Sequence, residues 1–119
     1  MTQVELTRSF AVSGRAVQGV LDSALSTALA RFEHDPRILY AHIRANDPPD
    51  GGRNFELFVR ASDSDFLTAL AAAALVADAL TATAATLVAS EAGAAMTTPK
   101  TRAIRKELIE VRGSVPRAP

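Results

Sequence analysis

The chain has 119 residues, a length that suits one domain. Its 13 lysines and arginines balance 13 aspartates and glutamates, so zero formal charge argues against a surface that grips nucleic acid all over. Hydrophobic residues make up 48%, enough to exclude wholesale disorder, and the lack of cysteine excludes disulfides, thiolate zinc sites and cysteine nucleophiles.

Met1 to Phe10 carries Glu5 and Arg8 and lacks the apolar run of a signal peptide, so a cytoplasmic location is expected. Val4, Leu6, Phe10 and Val12 alternate with Glu5, Thr7, Ser9 and Ala11, which predicts a first strand with one buried face. Arg8 is out of place on the apolar side. After Ser13-Gly14, the apolar positions Val17, Val20, Leu21, Leu25, Ala28, Leu29 and Phe32 form one stripe of a helix over 15–33. Asp35-Pro36 ends it, because the residue before proline is pushed out of helical geometry.

A period of two resumes over 37–45. Leu39, Ala41 and Ile43 point one way and Ile38, Tyr40, His42 and Arg44 the other. The turn cluster 46–54 joins this run to a third strand over 55–61, where Phe55, Leu57 and Val59 oppose Glu56, Phe58 and Arg60. Ser62-Asp63-Ser64-Asp65 opens a second helix capped by Ser62 or Asp63, with acidic residues that suit the helix dipole. It runs to about Glu91, with Gly93 as its stop. A loop is expected over 94–105, a last strand over 107–113 and a frayed tail over 114–119.

The order strand–helix–strand–strand–helix–strand predicts one ferredoxin-like α+β domain over 1–113, with an antiparallel sheet and both helices on one face. From Phe66 to Ser90 the only charge is Asp78. That stretch is long enough to cross a bilayer, but Asp78 near its middle costs roughly 2.5–3.5 kcal/mol on insertion scales, and the expectation is a buried helix and no membrane. The helix is longer than so small a sheet needs, and alanine coats it on all sides. A helix apolar all round is normally buried all round, which implies a homo-oligomer, with a dimer favoured.

The residues with chemistry to offer lie on the sheet face away from the helices: Tyr40, His42, Arg44, Glu56, Phe58 and Arg60, joined by Glu110 and Arg112 if the last strand forms. Aromatics among arginines can clamp a planar anion or stack bases. The same pattern describes a face buried against a second copy, or a plain solvated face. The basic segment Lys100, Arg102, Arg105 and Lys106 is either a nucleic-acid contact or a solvated loop. Gly51-Gly52 beside Arg53 reads as hairpin turn chemistry or a small anion nest. His34 and His42 are the metal candidates, but they form no helical pair, and neither a metal nor a cofactor is expected. No nucleophile elbow accompanies the serines.

Pro36-Arg37-Ile38-Leu39-Tyr40, then Asp47-Pro48, Phe55-Glu56-Leu57-Phe58 and Ser64-Asp65-Phe66, resembles the dimeric α+β barrel superfamily over about residues 4–70. The resemblance implies a ferredoxin-like fold, a dimer formed face to face by the sheets, and an apolar pocket between helices and sheet. The histidine that its small monooxygenases often place early in the second helix is missing, since residues 66–70 read FLTAL. Arg37-Ile38-Leu39-Tyr40-Ala41-His42-Ile43-Arg44 is also similar to short ribosome hibernation factors. Those carry basic residues on their second helix, whereas this one has none.

Three readings follow. The first is a non-catalytic homo-oligomeric binding or assembly module with a small apolar ligand cavity between helices and sheet. The second is a cofactor-independent monooxygenase-like enzyme, in which Tyr40, His42 and Arg44 would be tested first. The third is an RNA or ribosome binder using Arg44, Arg60 and the basic segment.

Overall fold

A computed structural model describes residues 1–49 and 51–106. Along the chain run β1 (Thr2–Ser13), α1 (Arg15–Ala30), β2 (Ile38–Asn46), β3 (Arg53–Asp63), α2 (Phe66–Ala89), β4 (Ala95–Met96) and β5 (Lys100–Lys106). The sheet order is β2-β3-β1, with β4 and β5 following one another along the far edge of β1, and every pairing is antiparallel. Both helices lie on one face, which makes the fold α+β and ferredoxin-like.

The alternation in β1 and β3 does what a period of two requires. Val4, Leu6, Phe10 and Val12, with Phe55, Leu57, Val59 and Ala61, are buried beneath the helices. α1 contributes Val17, Leu21, Leu25 and Ala28 to the same core. α2 lies across β1 and β3 and beside α1. Its buried stripe is Ala69, Ala72, Ala73, Val76, Ala77, Leu80 and Ala84. Methyl groups along that stripe let the helix sit close to the strands, and interior packing of this density leaves little room for a larger residue.

Arg8, the misfit in β1, is accounted for by α2. Its guanidinium donates to Asp78 Oδ1 at 2.7 Å and to Thr81 Oγ1 at 3.2 Å, and its Nε donates to Thr101 Oγ1 at 2.8 Å. A cation on the helix side of the sheet thus meets the one charge on α2 and the last strand together.

Three expectations are corrected. Residues 100–106 are a strand and not part of a loop: β5 pairs with β1 from Gln3↔Lys106 to Ser9↔Lys100. Its signal is weak because it is an edge strand exposed on both faces over most of its length, so backbone pairing holds it without an apolar alternation. Pro99 stands just before it, where no ladder donor is needed. Thr97 clamps the break between β4 and β5, donating its N–H to the Ala11 carbonyl and accepting from the Ala11 N–H on Oγ1, both at 2.9 Å. The strand expected over 107–113 and the tail lie outside the described residues.

Second, a bulge between Ile38 and Tyr40 resets β2, so Ile38 packs against the core and Leu39 is 48% exposed, the reverse of strict alternation. Third, the cap of α2 is Asp65, neither Ser62 nor Asp63. Asp65 accepts from the Thr68 N–H at 2.9 Å while Thr68 Oγ1 accepts from the Asp65 N–H, a closed capping box. That hydrogen bond from Thr68 holds the Asp65 carboxyl below its ordinary value. As the length and composition of α2 lead one to expect, a single copy of the chain leaves one side of it open: Leu67 is 72% and Leu75 52% exposed. By length and composition α2 would also suffice to cross a membrane, yet here one side of it packs on the sheet.

At the start of α1, Gly14 adopts φ +119°, and a Cβ there would stand 2.8 Å from Ala94 Cβ. Gly19, in the middle of α1, has nothing near its missing Cβ. Gly14→Ala should therefore cost about 1–3 kcal/mol, and Gly19→Ala should gain about 0.5–1 kcal/mol, as measured by urea unfolding.

Candidate functional site

The pairing registers set the open sheet face into transverse rows. One row is Tyr40–Arg60–Glu5–Ile104, the next His42–Phe58–Thr7–Arg102, the third Arg44–Glu56–Ser9–Lys100. All six face residues expected from the sequence are brought together on it. β5 adds Lys100, Arg102 and Lys106, which lie on this face by register, whereas Arg105 pairs with Val4 on the helix side. The basic segment is thus split between the two faces of an edge strand. Positions 110 and 112 lie outside the described residues.

Glu5 is the hub of the first row. It accepts the Tyr40 hydroxyl at 2.8 Å and an Arg60 N–H at 3.1 Å, and Lys106 Nζ stands 3.7 Å away. The Tyr40 hydrogen bond, with help from Arg60 and Lys106 and against partial burial, holds the Glu5 carboxyl below its ordinary value. The same bond pushes the Tyr40 phenol up. Beside this row the planar groups stack: Tyr40 on His42 at 5.7 Å between centroids, His42 on Phe58 at 5.0 Å. Arg60 covers the Tyr40 ring at 5.6 Å and Arg44 covers Phe58 at 5.0 Å. The three rings thus stack on one another and against two guanidinium groups.

Two clefts open on this face and share Ser9, Glu56 and Lys100. One, of about 470 Å³, is bounded by Arg44, Asn46, Asn54, Thr97 and Thr98; the other, of about 390 Å³, by Thr7, Phe58 and Arg102. A third cleft, of about 420 Å³, lies between the end of α1 and β2 and is lined by Leu29, Phe32, Ile38, Leu39, Tyr40 and Ala41. It occupies the place expected for an apolar cavity between helices and sheet, but it opens at the sheet edge. Deeper in, Leu6, Leu21, Leu25 and Leu80 fill the interior.

The remaining candidates divide simply. Gly51 and Gly52 take φ +92° and +83° in the β2–β3 turn. The neighbouring Arg53 is held by Asp22 at 3.0 Å and Asp47 at 3.1 Å, which ties the hairpin to α1 and leaves no guanidinium for an anion nest. His34 lies exposed in the turn after α1, while His42 stands within the ring stack. Among the described residues, no group of three histidine, aspartate or glutamate side chains is placed to hold a metal. Sequence reasoning missed Glu5, and it named the basic segment without placing it on a strand beside this face. The alternation of Lys100, Arg102, Ile104 and Lys106 against Thr101, Ala103 and Arg105 was the available signal.

The pKa directions set a pH test. Glu5 is depressed below 4.5, so its contribution to stability is complete above pH 4.5 and fades as pH falls through its lower folded value. Tyr40 is raised above 10.0, so its contribution is complete below pH 10.0 and fades as pH rises through its higher folded value. In urea midpoints measured across pH, the gap between wild type and Tyr40→Phe should be widest between these limits and narrow beyond each.

No protein-family model matches the chain, and no curated protein sequence matches it. Solved structures do. The chain is similar to a hydantoinase/carbamoylase family amidase from Burkholderia ambifaria at 19% identity and a TM-score of 0.62, over 87% of this chain and 28% of that one, so it spans little more than a quarter of the amidase. It is similar to SnoaB, a cofactor-independent oxygenase from Streptomyces nogalater, at 20% identity and a TM-score of 0.51, over 86% of this chain and 90% of that one. A dimeric protein of unknown function and ferredoxin-like fold from Bacteroides fragilis matches at 12% identity and a TM-score of 0.55, over 86% of this chain and 94% of that one. At these identities the likeness is one of fold, and the fold is the ferredoxin-like α+β fold that the resemblance to α+β barrel proteins implies.

Proposed function

We propose that the chain is a non-catalytic binding module that pairs with a second copy through the outer face of α2 and keeps its open sheet face for a ligand. The observation that carries this is the composition of that outer face. Leu67, Ala71, Leu75, Ala82, Ala85 and Ala89 are exposed, and the one charge among them, Asp78, is cancelled by Arg8 at 2.7 Å. A helix of about 36 Å presents a neutral, small-residue surface that can pack on itself. The exposed Ala16, Gly19 and Val20 of α1 widen the helical layer toward the roughly 800 Å² per partner of a stable interface.

The open sheet face is less suited to meet a copy of itself. Among the described residues it carries Arg44, Arg60, Lys100, Arg102 and Lys106 against Glu5 and Glu56, so face-to-face packing would bury an excess of like charge. The dimer implied by the barrel resemblance is thus disfavoured by this chain's own side chains. The cleft between α1 and β2 suits a small apolar guest at the sheet edge. The monooxygenase-like alternative is supported by fold likeness alone, and its residues Tyr40, His42 and Arg44 stand on the face opposite the helix–sheet interior.

Light scattering tests the reading with Leu75→Glu beside Phe58→Glu, each checked by circular dichroism. Ala77, being fully buried, is not a usable site for such a test. The expected result is a dimer that Leu75→Glu splits and Phe58→Glu leaves whole. A monomeric wild type, or splitting by Phe58→Glu alone, overturns it.

A further inference from the structure

We infer that the groove over β1 on the open sheet face binds a phosphate-bearing anion, with Lys100, Arg102 and Arg44 as its clamp. The inference does not rest on self-association, since the groove is complete in one copy of the chain.

The two clefts that share Ser9, Glu56 and Lys100 form one channel, running from Asn46 and Asn54 past Ser9 to Phe58 and Arg102. Among the described residues, Lys100 and Arg102 have no carboxylate within ion-pair distance, unlike Arg60 and Lys106, which attend Glu5. Arg44 reaches Glu56 only at 3.8 Å, and both side chains are exposed, a pair weak enough to yield to a stronger anion. Neutral donors complete the wall. The amides of Asn46 and Asn54 and the hydroxyls of Ser9 and Thr98 line it, and Thr97 Oγ1, which accepts from the Ala11 N–H, keeps its own proton to donate.

Tyr40, His42 and Phe58 already stack on one another and against Arg44 and Arg60, and an added base would have to compete with those contacts. Cations, hydroxyls and amides around a channel are the donor set for phosphate oxygens.

The full chain is titrated with pyrophosphate by calorimetry and with fluorescein-labelled oligouridine by anisotropy. Wild type is compared with Lys100→Glu/Arg102→Glu and with Arg15→Glu/Arg31→Glu, which changes net charge equally but off the groove. Circular dichroism confirms that each variant folds. The expected result is saturable, salt-sensitive binding that weakens about tenfold or more in the groove variant and stays within about twofold in the other. Oligouridine binding displaced by pyrophosphate supports the inference and assigns the phosphate to a nucleic-acid backbone. Pyrophosphate binding without oligouridine supports it and assigns a free phosphorylated compound. Binding of neither probe, equal loss in both variants, or oligouridine binding that pyrophosphate does not displace overturns it.

Discussion

The close seat of α2 on β1 and β3 governs the rest of the molecule. Small side chains from Ala69 to Ala84 bring the helix down onto the strands, where Val76 and Leu80 supply the larger apolar area. One side of α2 therefore seals one face of the sheet. The residues left over on α2 are nearly uncharged, and the opposite sheet face is left open. Arg8 ties the arrangement together, because its bonds to Asp78, Thr81 and Thr101 link β1, α2 and β5 through one guanidinium. A cation beneath a helix would ordinarily be a liability. Here it is paired at once with Asp78, the one charged residue of α2, which remains largely exposed.

The open face follows a different logic. Among the described residues its cations outnumber its carboxylates, and those carboxylates are unequally engaged. Glu5 is fully engaged by Tyr40, Arg60 and Lys106, so the first row is electrostatically settled. Glu56 has only the long contact to Arg44, and Lys100 and Arg102 lie beyond it in the channel. Unspent positive charge among the described residues thus gathers at the β5 side, beside the stacked rings.

Much of this was legible in the sequence, and the exceptions share a cause. β1 and β3 are central strands with one buried face, so Val4 to Val12 and Phe55 to Val59 announce themselves by alternation. The face bearing Tyr40, His42, Arg44, Glu56, Phe58 and Arg60 followed from the same period. β5 escaped because neither of its faces is buried along most of its length and its pairing is a backbone affair. The turn of Ile38 into the core escaped because a bulge breaks the period that sequence reading relies on. The Asp65 cap was hidden among four polar residues of similar propensity and was decided by Thr68 three positions on. The channel cations were recognised as a cluster, but only the strand register sorts Lys100 and Arg102 from Arg105.

Hydroxyl-radical footprinting across a concentration series tests most directly whether the outer face of α2 is where two copies meet. At concentrations where the mass doubles, Leu67 and Leu75 should lose reactivity while Tyr40 and Phe58 keep theirs. Protection of Tyr40 and Phe58 with Leu67 and Leu75 still reactive would contradict the account and make the open sheet face the interface.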